Sequence, residues 1–203
     1  ELNIKRVQCN DALVLAEGVT LQATLAYPAP DRPLLTTDHH IVVHATLINH
    51  GTDTLTLAGV AVRTPDNHPT PFPNDSVNLP LVPGASHTDE VTVDTPGLPA
   101  TRPYFTRPDI EQPFYNISNS SLRNAPATPT PLTALVTLED HGVPLQLAAN
   151  VQSSTSPAAP GSAPFIPVQA AVVVPPVSIA VSPSAGIVPL QQASFPVTAS
   201  VQA

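Results

Sequence analysis

The stretch from Thr101 to Ile117 gathers Tyr104, Phe105, Phe114 and Tyr115, four of the chain's eight aromatic residues (five Phe, three Tyr, no Trp), together with Arg102 and Arg107. Rings and guanidinium groups on a loop pack against their own domain, meet a partner protein or stack on a sugar. Pro103, Pro108 and Pro113 break any helix or central strand, so the stretch reads as a stiff extended loop. A flexible loop would gain nothing from so many prolines, and the expectation adopted is packing of Tyr104 and Phe114 onto the domain. A partner-protein surface and a sugar platform stand as the other readings. Sugar sites favour exposed Trp, which is absent, so carbohydrate is the weaker of the two. Arg102 and Arg107 are expected to pair with Asp109 and Glu111.

Asp38, His39, His40 and His44 form the densest group of metal-ligand types. Histidines at i and i+4 converge on one ion from a helix, but Ile41-Val42-Val43 is β-branched and reads as strand. On a strand His40 and His44 share a face roughly 13 Å apart, too far to chelate together. Asp66, Asn67, Asn74 and Asp75 offer oxygen ligands at a spacing that matches no calcium loop, and turn formation explains them. Glu139-Asp140 reads as a solvated turn, and neither a Gly-x-Ser-x-Gly elbow nor a Gly-rich phosphate loop occurs. Cys9, the single cysteine, is expected to be a small core residue. No catalytic residue, cofactor or metal is assigned. Asn74-Asp-Ser, Asn116-Ile-Ser and Asn119-Ser-Ser are formal glycosylation sequons.

Period-two alternation supplies the elements that position these residues. Val19, Leu21, Ala23, Leu25 and Tyr27 share one face, and Ile41, Val43, Ala45, Leu47 and Asn49 the next, across a connection holding Pro28, Pro30 and Pro33. Asn49-His50-Gly51 turns into a run from Thr54 to Val62, and the two runs read as a hairpin. Residues 64–86 read as loop, 87–94 as strand. Leu132 to Glu139 and Val143 to Val151 flank Asp140-His141-Gly142 as a second hairpin. Ser153 to Pro164 reads as a long loop before alternation resumes at Ile166, Val168, Ala170, Val172 and Val174. Pro175-Pro176 ends strand pairing and marks a boundary.

The expected fold is all-β: an immunoglobulin-like sandwich over 1–174, the 175–176 junction, and over 177–203 the first strands of a second, incomplete sandwich or a strand-exchange segment. A core of Val, Ala, Leu and Ile suits this, and the 27 prolines, against 8 glycines, forbid long helices. The net charge is −8 with one lysine, Lys5, which leaves no basic surface for nucleic acid. Charged residues are only 11% of the chain, a composition common outside the cell. There is no initiator Met, signal peptide or apolar stretch of transmembrane length, so the chain reads as a mature or excised piece, with no membrane insertion.

The run Arg102-Pro-Tyr-Phe-Thr-Arg-Pro-Asp-Ile-Glu-Gln-Pro-Phe-Tyr115, then Leu122-Arg-Asn-Ala-Pro126, Pro175-Pro-Val-Ser-Ile-Ala-Val-Ser-Pro183 and Gly186-Ile-Val-Pro-Leu190, resembles an accessory region. It is similar to the β-sandwich region that follows the catalytic domain in long, secreted bacterial deacetylases of the PIG-L/LmbE family. The resemblance covers most of 101–203. That family's zinc chemistry uses a His-Pro-Asp-Asp box, whereas here His68-Pro69 is followed by Thr70-Pro71, and no catalytic residue carries over.

The resemblance implies a non-catalytic, secreted module for binding, spacing or assembly. The alternative is a structural subunit of an extracellular filament joined by strand addition through its C-terminal segment. The strands after Pro176 place Val177, Ile179 and Val181 on one apolar face and Phe195 and Val197 on another. Two such strands cannot bury those faces alone, so self-association is expected there.

Overall fold

The computed structural model describes residues 1–26, 34–36, 40–64, 78–94, 98–153, 169–183 and 196–202. Strands dominate these residues, and two sheets form the body. The first has the order β12-β11-β1-β3-β6, built from β1 (Val19–Ala26), β3 (His40–Asn49), β6 (Ser86–Asp94), β11 (Gln152–Ser153) and β12 (Gln169–Ala170). The second has the order β10-β9-β4-β5, built from β4 (Leu55–Arg63), β5 (Leu79–Leu81), β9 (Thr133–Asp140) and β10 (Val143–Asn150). A separate parallel pair joins β2 (Leu34–Thr36) to β13 (Val172–Val174).

The inner faces of the two sheets share one core. Ala23, Leu25, Val43, Ala45, Leu47, Val91 and Val93 from the first meet Leu57, Val60, Val62, Ala134, Val136, Leu138, Leu145 and Leu147 from the second. Alternation sets this directly, because successive side chains of a strand point to opposite faces. In β4 both parities are buried after Leu57, where the register against β9 shifts between Leu57 and Gly59.

The hairpin expected between the runs ending at Asn49 and starting at Thr54 does not form. β3 pairs with β1 and β6, whereas β4 pairs with β5 and β9, so the chain crosses from one sheet to the other. The Asn49 side chain is fully buried at this crossing. Its Nδ2 donates to the carbonyls of Asp53 and Leu81, both at 2.9 Å, and its Oδ1 accepts the Gly51 amide at 2.9 Å. A buried side-chain amide that ties the turn to the opposite sheet replaces the ladder a hairpin would have offered.

The second expected hairpin does form, with Asp140 opposite Val143. His141 at φ 48° and Gly142 at φ 81° occupy the two left-handed positions of a two-residue turn, which match the right-handed strand twist. Leu79–Leu81, expected to be loop, adds an edge strand to β4. Near the end of this unit the buried residues are Ala171 and Val173, so the parity expected from Ala170, Val172 and Val174 is reversed. The connections 27–33 and 154–168, and most of the 64–86 stretch, lie outside the described residues.

A helix, α1 (Leu2–Ala16), overturns the expectation that proline excludes long helices. The first proline is Pro28, so the opening segment has no breaker until Gly18, which ends the helix at φ 65°. The helix buries no residue fully. It docks on edge strand β10 through Asn10, whose Nδ2 donates to the Gln146 carbonyl at 2.7 Å and whose Oδ1 accepts the Gln146 amide at 2.8 Å. Cys9, expected in the core, is exposed on this helix. No helix among the described residues is long and apolar enough to cross a membrane.

Candidate functional site

The aromatic loop is anchored at its base. Leu98 and Leu132 are buried at its two ends, the Thr101 amide donates to the Val173 carbonyl at 2.8 Å, and the Thr101 hydroxyl accepts the Val173 amide at 2.9 Å. Further out, β7 (Phe105–Thr106) pairs with β8 (Asn116–Ile117) and closes a small ribbon. Within it Tyr104 meets Phe105 edge-on at 5.3 Å, and Phe105 meets Tyr115 at 4.9 Å. The Arg107 guanidinium lies 5.9 Å from the Tyr115 ring centroid.

Tyr104 is half-buried, and its hydroxyl donates to the Ala125 carbonyl at 2.8 Å. Phe114 is 62% exposed, which contradicts its assignment as an anchor. The prolines hold the loop in a shape in which its rings pack on one another, leaving Phe114 outward. Arg102 and Arg107 do not pair with Asp109 or Glu111: Arg107 donates to the Ile110 carbonyl, and Asp109 accepts the Glu111 amide at 2.9 Å in a local turn. Gln112 closes the tip by donating to the Phe114 carbonyl at 2.8 Å. The result is a preformed surface of Phe105, Ile110, Phe114 and Tyr115, all exposed.

The C-terminal segment forms a second surface. β14 (Ser178–Ser182) and β15 (Thr198–Gln202) pair antiparallel, with Ile179 opposite Val201 and Val181 opposite Ala199. These partners share one apolar face. Val177, Ile179, Val181, Val197 and Val201 are each about half exposed or more, with Ile179 at 69%. Phe195 lies outside the described residues.

The histidines are drawn to carboxylates of the neighbouring strand rather than to each other. His40 Nδ1 lies 2.6 Å from Asp94 Oδ1 and His44 Nε2 lies 3.2 Å from Glu90 Oε1, each pair directly opposite in the β3–β6 register. Among the described residues no group of three or more His, Cys, Asp or Glu is placed to hold a metal ion. Asp38, His39, the 66–75 ligand candidates and His68 lie outside those residues. At the β9–β10 turn His141 Nδ1 sits 2.6 Å from Asp140 Oδ1, and that hydrogen bond, followed by the Asp140 charge, raises the His141 pKa above its ordinary 6.5.

Sequence reasoning singled out neither Asn10 nor Arg6 and Arg63, which line the groove beneath α1. The proline-free opening segment was the available signal, hidden by reading proline as an average over the whole chain. No protein-family model matches this sequence, and no curated protein matches it either.

Proposed function

We propose that this chain is a non-catalytic, extracytoplasmic interaction module with an immunoglobulin-like fold, of the accessory kind carried by secreted deacetylase-like proteins. Support for the fold reading comes from strand order. The sequence β1-β3-β6 against β10-β9-β4-β5 follows A-B-E against G-F-C with a short added C′ strand, and the chain crosses between sheets after β3 as that topology requires.

The observation that carries the functional reading is the uncovered apolar face of the β14–β15 ribbon. A two-stranded ribbon is marginal by itself, and its outer edges carry unpaired backbone groups that accept another strand. The same face supports the second reading, a filament subunit, because the described residues of the ribbon carry no charge that would repel a second copy. Sedimentation and negative-stain electron microscopy of the full chain and of a chain lacking 177–203 test both. Multimers in the full chain that disappear on deletion are expected. Fibres support the filament reading, discrete oligomers the module, and an assembly that persists after deletion overturns both.

A further inference from the structure

We infer that the groove between α1 and the outer face of the second sheet is a binding site for a single-chain acyl carboxylate. The groove measures about 880 Å³, within the roughly 300–1,000 Å³ typical of small-molecule sites. Val7 and Leu13 of the helix form one wall. Ala61, Leu135 and Ala148 form the other, and they lie side by side because Leu135 is the partner of both alanines in the β4–β9–β10 ladder.

Charge decides the ligand's head group. The chain has 15 acidic residues against 7 basic ones, yet among the described residues the groove is lined by Arg6 and Arg63 and by no carboxylate. No carboxylate among the described residues pairs with either guanidinium; histidine–carboxylate pairs form instead, at residues outside the groove.

Both arginines lie on one side of the row that Asn10 docks against. Asn10 fixes the helix opposite Gln146, whose row continues through Thr137 to Gly59. The α1 C-terminus lies against the Gly51 turn, so the helix runs back toward the Arg63 end of β4. Arg6 therefore stands about 6 Å toward that end from Asn10, at about 1.5 Å per residue, and Arg63 stands about 13 Å beyond Gly59 along the strand. Past Arg63 the surface turns polar, with Thr64, Thr128, Thr130 and Asn150 lining an adjoining hollow. An apolar trough flanked by Arg6 at its Ala61–Leu135–Ala148 wall and closed by Arg63 at the end where the surface turns polar matches a chain with one carboxylate head, which a guanidinium grips bidentately. The C-terminal ribbon, uncharged over its described residues, lacks the anion that this end calls for. The site does not depend on how the chain assembles.

Isothermal titration with decanoate below its micelle concentration, using the full chain, tests the site. Decanoate is expected to bind one to one and at least tenfold more tightly than decyltrimethylammonium. Arg6→Gln and Arg63→Gln should each weaken decanoate about tenfold and leave the cationic amphiphile unchanged. Ala148→Phe, at an exposed position in the groove wall, should fill the trough and abolish binding of both, with thermal melting confirming that the variant is folded. Equal affinity for anion and cation, full affinity in both arginine variants, or no binding by the folded chain would overturn the assignment.

Discussion

At the scale of single residues, stability concentrates at Asn49 and at the turn that follows it. The asparagine ended an apolar alternation in the sequence, so its burial was legible, but its task was not: two hydrogen bonds that close the turn at Gly51 and Asp53 and one that reaches Leu81 of the other sheet depend on a crossing that periodicity cannot see. Asn49→Ala is expected to cost about 3 kcal/mol in urea unfolding, because each buried polar group left without its partner costs about 1–3 kcal/mol. A Cβ on the neighbouring Gly51 would collide with the Glu17 carbonyl oxygen at the end of α1. Gly51→Ala should therefore cost about 1–3 kcal/mol, the range for forced overpacking, with loss of helical circular dichroism as the helix end is pushed away. His141 gives a prediction of sign. Its folded pKa is raised, so its pairing with Asp140 stabilises the fold below pH 6.5 and that contribution fades as pH rises through the folded pKa. An NMR titration should place His141 above 6.5, and Asp140→Asn should return it toward that value.

At the scale of elements, legibility tracked how local the cause was. The β9–β10 hairpin was readable because its turn residues demand positive φ at adjacent positions. Alternation marked strands from Val19 to Tyr27 and from Ile41 to Asn49, and a third was expected at 87–94; β1, β3 and β6 lie there over the described residues. Partners were not readable: the run ending at Asn49 and the run starting at Leu55 are neighbours in sequence, yet each finds its ladder elsewhere, since the chain crosses from one sheet to the other between them. In the aromatic loop the prolines correctly announced stiffness and left direction open. Phe105 sits between Tyr104 and Tyr115, whereas Phe114 touches no ring in these pairs. Phe105→Ala should cost about 1–2 kcal/mol, from two aromatic contacts worth about 0.5–1.5 kcal/mol each. Phe114→Ala should change stability by less than about 0.5 kcal/mol, as exposed substitutions do. Thermal melts of the two variants distinguish a loop that holds itself from one that leans on the sandwich through Phe114.

At the scale of the molecule, the described core stops at Val173. Every buried hydrophobic residue among those described lies at or before that position, and each residue from 177 to 183 and from 196 to 201 is exposed. β13 belongs to the body, because Val173 is buried and its amide and carbonyl hold Thr101 at the base of the aromatic loop, while its strand pairs with β2. The β14–β15 ribbon adds two strands but no residue to that core. Its apolar face, at about 25 cal/mol per Å², is a stabilisation still to be gained from whatever covers it. Deleting 177–203 should therefore leave the unfolding free energy of the monomeric body, measured in urea, within about 0.5 kcal/mol of the full chain. Deleting 169–203 should cost several times as much, because it also removes Ala171, Val173 and the partner strand of β2. A large loss on the shorter deletion, measured at concentrations where the chain is monomeric, would mean that the ribbon packs on its own body and that its apolar face is not free for a partner.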